Sequence, residues 1–123
     1  MAEVSEIEAG GEVRTVKDTT ARKGLVYSTD ETDTGKKWIN GKPIYRKVYS
    51  GNYSSGIILA VNVEDLVSAS GWIGLTTNKT AFPFGSPSNY VSLSVNSQHN
   101  IVTYANASYS NACIVVEYTK TTN

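Results

Sequence analysis

Catalysis starts from titratable or nucleophilic groups that a fold can bring together, and this sequence holds few of them. There is one histidine, His99, and one cysteine, Cys113; the carboxylates lie before Leu66, with Glu117 alone after it. A Ser-His-Asp arrangement would have to draw its acid from Asp30, Asp33, Glu64 or Asp65, and no spacing brings any of these to His99. Glycoside hydrolysis needs two carboxylates facing one cleft, whereas the adjacent Glu64 and Asp65 would face opposite ways on a strand and would not stack on a helical turn. Asp30, Glu31 and Asp33 crowd one acidic loop but lack the other ligands of a Ca²⁺ loop, and a lone cysteine forms neither an internal disulfide nor a thiolate cluster. The expectation is a protein that is not an enzyme and carries no metal or cofactor.

Recognition chemistry is better supplied. Aromatic rings stack on sugar faces, and Asn, Ser and Thr side chains hydrogen-bond sugar hydroxyls. Trp72, Tyr90, Tyr104 and Tyr109, with His99, Asn89, Asn106 and Asn111, provide both and form the candidate glycan-binding set. The competing use of each ring is to fill a core or an interface.

Those residues must be positioned by one ordinary domain: 123 residues, 40% hydrophobic and 18% charged. Eleven Lys and Arg balance eleven Asp and Glu, so the chain lacks the surplus of cations that nucleic-acid binding requires. No apolar run is long enough to span a bilayer, and the opening Met1-Ala2-Glu3-Val4-Ser5-Glu6 is acidic where a secretion signal would be basic and then apolar. Synthesis in a cytoplasm without membrane insertion is expected, and the sequons at Asn52, Asn78 and Asn106 read as chance products of a Ser/Thr/Asn-rich surface. From Leu66 to Val116 the one formal charge is Lys79.

Residues 1–23 are charged and interrupted by Gly10-Gly11, too sparse in apolar positions for a core; they read as an attachment arm. Residues 24–123 read as an all-β domain, an antiparallel β-sandwich of jelly-roll-like type, because short β-branched and aromatic runs alternate with turn residues. The expected strands are Leu25-Val26-Tyr27, the hairpin arms around Asn40-Gly41, and the segments 56–62, 70–75, 90–95, 100–104 and 112–118, the last apolar on both faces and therefore central. Asn40-Gly41 predicts a two-residue type I′ turn, which pairs Trp38 with Pro43 and Lys37 with Ile44 and makes the second arm an edge near Pro43. In that register one face carries Trp38, Pro43, Tyr45 and Tyr49 and the other Ile39, Ile44 and Val48. Both faces should then be covered, one by the core and the other by the arm or a second chain. Trp38, Tyr45 and Tyr49, with Phe82 and Phe84 from the long loop 78–89, are the candidate oligomer contacts. Val63-Glu64-Asp65-Leu66-Val67 is expected to make one helical turn capped by Asn62.

The stretch Trp38-Ile39-Asn40-Gly41-Lys42-Pro43-Ile44-Tyr45-Arg46-Lys47 resembles a hairpin found near the C-termini of tailed-bacteriophage structural proteins. The end, Glu117-Tyr118-Thr119-Lys120-Thr121-Thr122-Asn123, is similar to the terminal segment of the same group, with Asn for its final Asp; Asn62-Val63-Glu64-Asp65-Leu66 resembles a further segment of it, and Val16-Lys17-Asp18-Thr19-Thr20-Ala21-Arg22 a connector upstream in such proteins. The stretch 68–111 has no counterpart. The resemblance implies a β-sandwich knob exposed on a virion, usually a homotrimer, held to other virion proteins through residues 1–23. It leads to the expectation of a tail or fibre knob that contacts host cell-surface polysaccharide. The alternatives are a head-decoration or head-fibre protein that binds only other virion proteins, and a solitary carbohydrate-binding module.

Overall fold

The computed structural model describes residues 26–75, 78–85 and 89–122. Nine strands run through them: β1 (Thr32–Lys37), β2 (Pro43–Tyr53), β3 (Ile58–Ala60), β4 (Val63–Leu75), β5 (Asn78–Ala81), β6 (Phe84–Gly85), β7 (Tyr90–Val95), β8 (Ile101–Ala105) and β9 (Tyr109–Lys120). They form a five-stranded sheet, β1-β2-β9-β4-β5, and a four-stranded sheet, β3-β8-β7-β6. The two antiparallel sheets pack as a β-sandwich, with no helix among the described residues. The wrap of β2 beside β9 and β3 beside β8 is jelly-roll-like; inside it β4 turns back onto β5 and β7 returns directly to β8.

Alternation along each strand builds the core. Ala112, Ile114, Val116 and Tyr118 of β9 point inward between β2 and β4, and meet Val91 of β7 and Ile101 of β8 from the opposite sheet. β9 is central because its outward residues Cys113 and Val115 are apolar too and stay half-buried. Tyr53 crosses the core: its ring is buried among these residues, and its hydroxyl donates to the Ser92 carbonyl on β7 at 2.6 Å.

The Asn40-Gly41 hairpin forms with a different turn. Positive φ occurs at Gly41 (84°) and not at Asn40. The Gly41 N–H donates to the Trp38 carbonyl, the Trp38 N–H donates to Lys42, and the first strand pair is Lys37 with Pro43. That is a three-residue loop ending in a left-handed glycine, one residue out of step with the predicted type I′ register. Asn40 spends its side chain on the Lys42 N–H instead of adopting positive φ. A second irregularity between Asp33 and Lys37 then pairs Asp33 with Tyr45. Pro43 is the first residue of β2 rather than part of an edge, since β2 is flanked by β1 and β9.

Both faces of β2 are covered, as its apolar content requires. Tyr45 and Tyr49 pack inward, while Ile44 and Arg46 are buried on the outer side. There the chain entering the domain lies across β2: Val48 N–H donates to Ser28, the Arg46 guanidinium donates to the Val26 carbonyl, and it sits 4.1 Å over the Tyr27 ring. Val26 and Tyr27 are therefore an exposed strap rather than the expected first strand; Leu25 and the arm lie outside the described residues.

The expected helical turn at 63–67 is the start of β4. Val63 pairs with Lys120, Leu66 with Tyr118 and Ser68 with Glu117, so the register slips twice within six residues. Each bulge adds a residue, which brings Val63 and Leu66, three apart, toward the same core and imitates helical spacing. The long loop at 78–89 likewise contains β5 and β6, linked through a cis Phe82-Pro83 peptide.

Candidate functional site

The outer face of the four-stranded sheet brings together two of the sequence-predicted residues, Tyr90 and Tyr104. Strand alternation places Ser92, Ser94 and Tyr90 of β7 outward, opposite Val102 and Tyr104 of β8 and Ile58 of β3. Tyr104 stands opposite Ser92, so Tyr90 is its diagonal neighbour, within reach of one extended ligand. Tyr90 is 49% exposed, Tyr104 45% and Ile58 55%, so three large side chains meet solvent on this one face.

Small residues flank both rings. Gly85 pairs with Tyr90, and a Cβ on Gly85 would come no nearer than 4.0 Å to the Tyr90 Cβ. Beyond Tyr104 the register reaches Gly56, whose N–H donates to Thr103 and beside whose Cα there is open space. The Ser54–Ile57 turn that carries this glycine is fixed to β8: Thr103 accepts from the Ile57 N–H through Oγ1 at 2.9 Å and donates to the Ser54 carbonyl, and the Ser55 hydroxyl donates to Ala105 at 2.8 Å.

Asn106 supports the other end. Its Oδ1 accepts from the Tyr90 N–H at 2.9 Å and from the Tyr109 hydroxyl at 2.9 Å, and that hydroxyl also reaches Asn89 Oδ1 at 3.4 Å. Tyr109 is 9% exposed, so its ring belongs to the core and not to a binding surface. Its hydroxyl, together with Asn89 and Asn106, fixes the backbone that presents Tyr90.

The rest of the expected set is dispersed. Trp72 lies on the outer face of the five-stranded sheet, with the Lys79 ammonium 4.4 Å over its ring, on the opposite side of the sandwich. Asn111 is exposed on β9 in that same sheet. His99 occupies the β7–β8 turn at the far end of the hairpin from Tyr90 and Tyr104, with φ of 63° and Nδ1 3.2 Å from the Val63 carbonyl oxygen. Of the candidate oligomer contacts, Phe82 is buried 5.7 Å from the Tyr53 ring, and Tyr45, Tyr49 and Phe84 pack against the core. All four thus make contacts within the chain, Phe82 fully and the other three in part; Trp38 is half-buried. Sequence reasoning missed Ile58, Ser92, Gly56 and Gly85, although the Tyr-x-Ser-x-Ser alternation of β7 carried the signal for Ser92.

Charge is segregated. No Asp, Glu, Lys or Arg occurs in β3, β6, β7 or β8, whereas β1, β2, β4, β5 and β9 hold charged groups. At the β1–β2 end Glu31 accepts from the Tyr118 hydroxyl and the Lys120 ammonium, each at 2.6 Å, and Lys42 bridges to Glu64. Burial pushes the Glu31 carboxyl up, but the hydrogen bonds from Lys120 and Tyr118 and the charges of Lys120 and Lys47 outweigh it and hold it below the usual carboxylate range. Burial drives the Tyr118 hydroxyl far above its ordinary value, helped by Glu31. Burial also raises Tyr53, with Tyr49 adding to it. Among the described residues no three His, Cys, Asp or Glu side chains gather where a metal could sit.

No protein-family model, curated protein or solved structure matches the chain.

Proposed function

We propose that this chain is a bacteriophage virion knob, a non-catalytic trimer that contacts host-surface glycan through the outer face of its four-stranded sheet. The observation that carries the reading is the pair Tyr90 and Tyr104, half-exposed side by side on one sheet face with glycine and serine beside them. Aromatic rings kept on the surface at this cost in water-exposed apolar area suit a ligand with flat apolar faces and hydroxyl edges. The geometry supports it further: the chain enters at Val26 against β2 of the other sheet, so an arm gripping a particle from there leaves the tyrosine face pointing outward. The hairpin at 38–47 and the terminal segment at 117–123, which resemble bacteriophage structural proteins, support the virion setting. Many copies on a particle would turn weak single contacts into avidity of about 10² to 10⁴.

The test is binding of labelled protein to host cells by wild type, Tyr90→Ala, Tyr104→Ala and the double variant, with circular dichroism as the folding control. Stacking contributes about 0.5–1.5 kcal/mol per aromatic contact, so each single change should weaken binding about two- to tenfold and the double change at least about fivefold. Undiminished cell binding by a folded double variant would refute the assignment of this face and favour a decoration protein that touches only other virion components. Light scattering tests the assembly: a mass near three times 13.3 kDa is expected, and a monomer rejects the trimer.

A further inference from the structure

We infer that the tyrosine face selects uncharged glycan chains over anionic ones, an inference that rests on the glycan-contact reading above. Its basis is the segregation of charge. The face is built from Ile58, Val102, Tyr104, Ser92, Ser94 and Tyr90, and the four strands that supply them contain no formally charged residue. Lys79, the single cation between Leu66 and Val116, is turned to the opposite face against Trp72. His99 is at the turn beyond Val95 and Ile101, at the far end of the hairpin from both rings, with Nδ1 against the Val63 carbonyl oxygen.

A uronate, sulfate or phosphodiester docked here would lose water and gain no cation, a cost that an uncharged hydroxylated ring does not carry. Selection thus comes from what the surface omits as much as from what it presents. The room beside each ring matters as well: Gly56, Ser92 and Gly85 leave the tyrosines unshielded along a diagonal, which fits consecutive units of an extended chain better than a single compact sugar.

The experiment compares the full-length protein on immobilised neutral polysaccharides (dextran, galactomannan, a β-glucan) and polyanions (polygalacturonate, hyaluronate, poly(glycerol phosphate)), at low and at high salt. The wild type should bind at least one neutral polymer with less than twofold change between the two salts, lose that binding in the Tyr90→Ala/Tyr104→Ala variant, and ignore the polyanions. Ser92→Lys sets one ammonium between the rings without touching the Ser92 carbonyl that Tyr53 holds. It should acquire salt-sensitive polyanion binding that the wild type lacks; Ser94→Lys is the companion variant should Ser92→Lys fail to fold. A wild type that prefers a polyanion, with affinity falling steeply as salt rises, overturns the selectivity and leaves glycan contact standing. Failure to hold any of the polymers, with host-cell binding that depends on surface protein, overturns both readings.

Discussion

Gly71 offers the sharpest prediction about what holds the five-stranded sheet together. It lies in β4 opposite Ile114, at φ of 133°, with its carbonyl accepting from the Phe82 N–H. A Cβ there would stand 2.0 Å from the Cys113 carbonyl oxygen and 3.0 Å from Ile114 Cα, so Gly71→Ala forces β4 off the central strand. Backbone strain at such a φ costs about 1–2 kcal/mol. Overpacking adds about 1–3 kcal/mol, and each ladder hydrogen bond lost adds about 1 kcal/mol. Together these come to about 4 kcal/mol, a large share of the roughly 5–15 kcal/mol that holds a domain folded. Gly56→Ala is the control: its φ is also positive, at 90°, but nothing lies within 4 Å of the added methyl, so it bears the strain alone. Urea unfolding followed by Trp38 and Trp72 fluorescence separates the two. With a slope of about 1–3 kcal/mol per molar urea, the midpoint should fall by about 2 M for Gly71→Ala and by under about 1 M for Gly56→Ala. Equal shifts would show that φ alone matters and that the close approach of β4 to β9 has been misjudged.

Other outcomes follow from the same geometry. Because the Glu31 pKa is lowered in the folded state, its contribution is present above the unfolded carboxylate pKa and disappears as pH falls through the folded value. Glu31→Gln should therefore be less stable than wild type at neutral pH and converge with it in acid, as read from urea midpoints across pH; a gap independent of pH would contradict this. Tyr53 and Tyr118 are raised, so at pH about 11, near the ordinary tyrosine range, both phenols should stay protonated in the fold and phenolate absorbance should rise in a further step when urea opens it; the absence of that step would contradict their burial. Tyr109→Phe removes the hydroxyl that steadies Asn89 and Asn106, a loss of about 1 kcal/mol; it should weaken host-cell binding a few-fold without removing it. Unchanged binding there would mean that Asn106 holds the Tyr90 backbone without help from the Tyr109 hydroxyl.

Much of this architecture can be read from local patterns. Val91, Leu93 and Val95 alternating with Ser92 and Ser94 specify a strand with one dry and one wet face, and β7 is built that way. Ala112 to Tyr118 is apolar on both parities apart from Glu117, and β9 is indeed the central strand of its sheet. The failures share a cause. Asn40-Gly41 is compatible with two turns whose registers differ by one residue, and the pairing of β1 with β2 decides between them. Val63 and Leu66 read as helical because two bulges lie in β4, and a bulge is a relation between strands that leaves no mark on one of them.

The candidate site divides along the same line. Composition by itself determined that an all-β domain would form, that catalytic groups would be scarce, and that the stretch from Leu66 to Val116 would carry one charge, since propensity, alternation and charge are properties of a residue and its near neighbours. Which rings face water depended on sheet membership. Tyr90, Tyr104, Tyr109 and Trp72 are chemically alike, yet the fold buries Tyr109, turns Trp72 to the far side, and leaves Tyr90 and Tyr104 together on one face. A strand's two faces become inside and outside only when a second sheet packs on one of them, and that choice is made by residues distant in the chain.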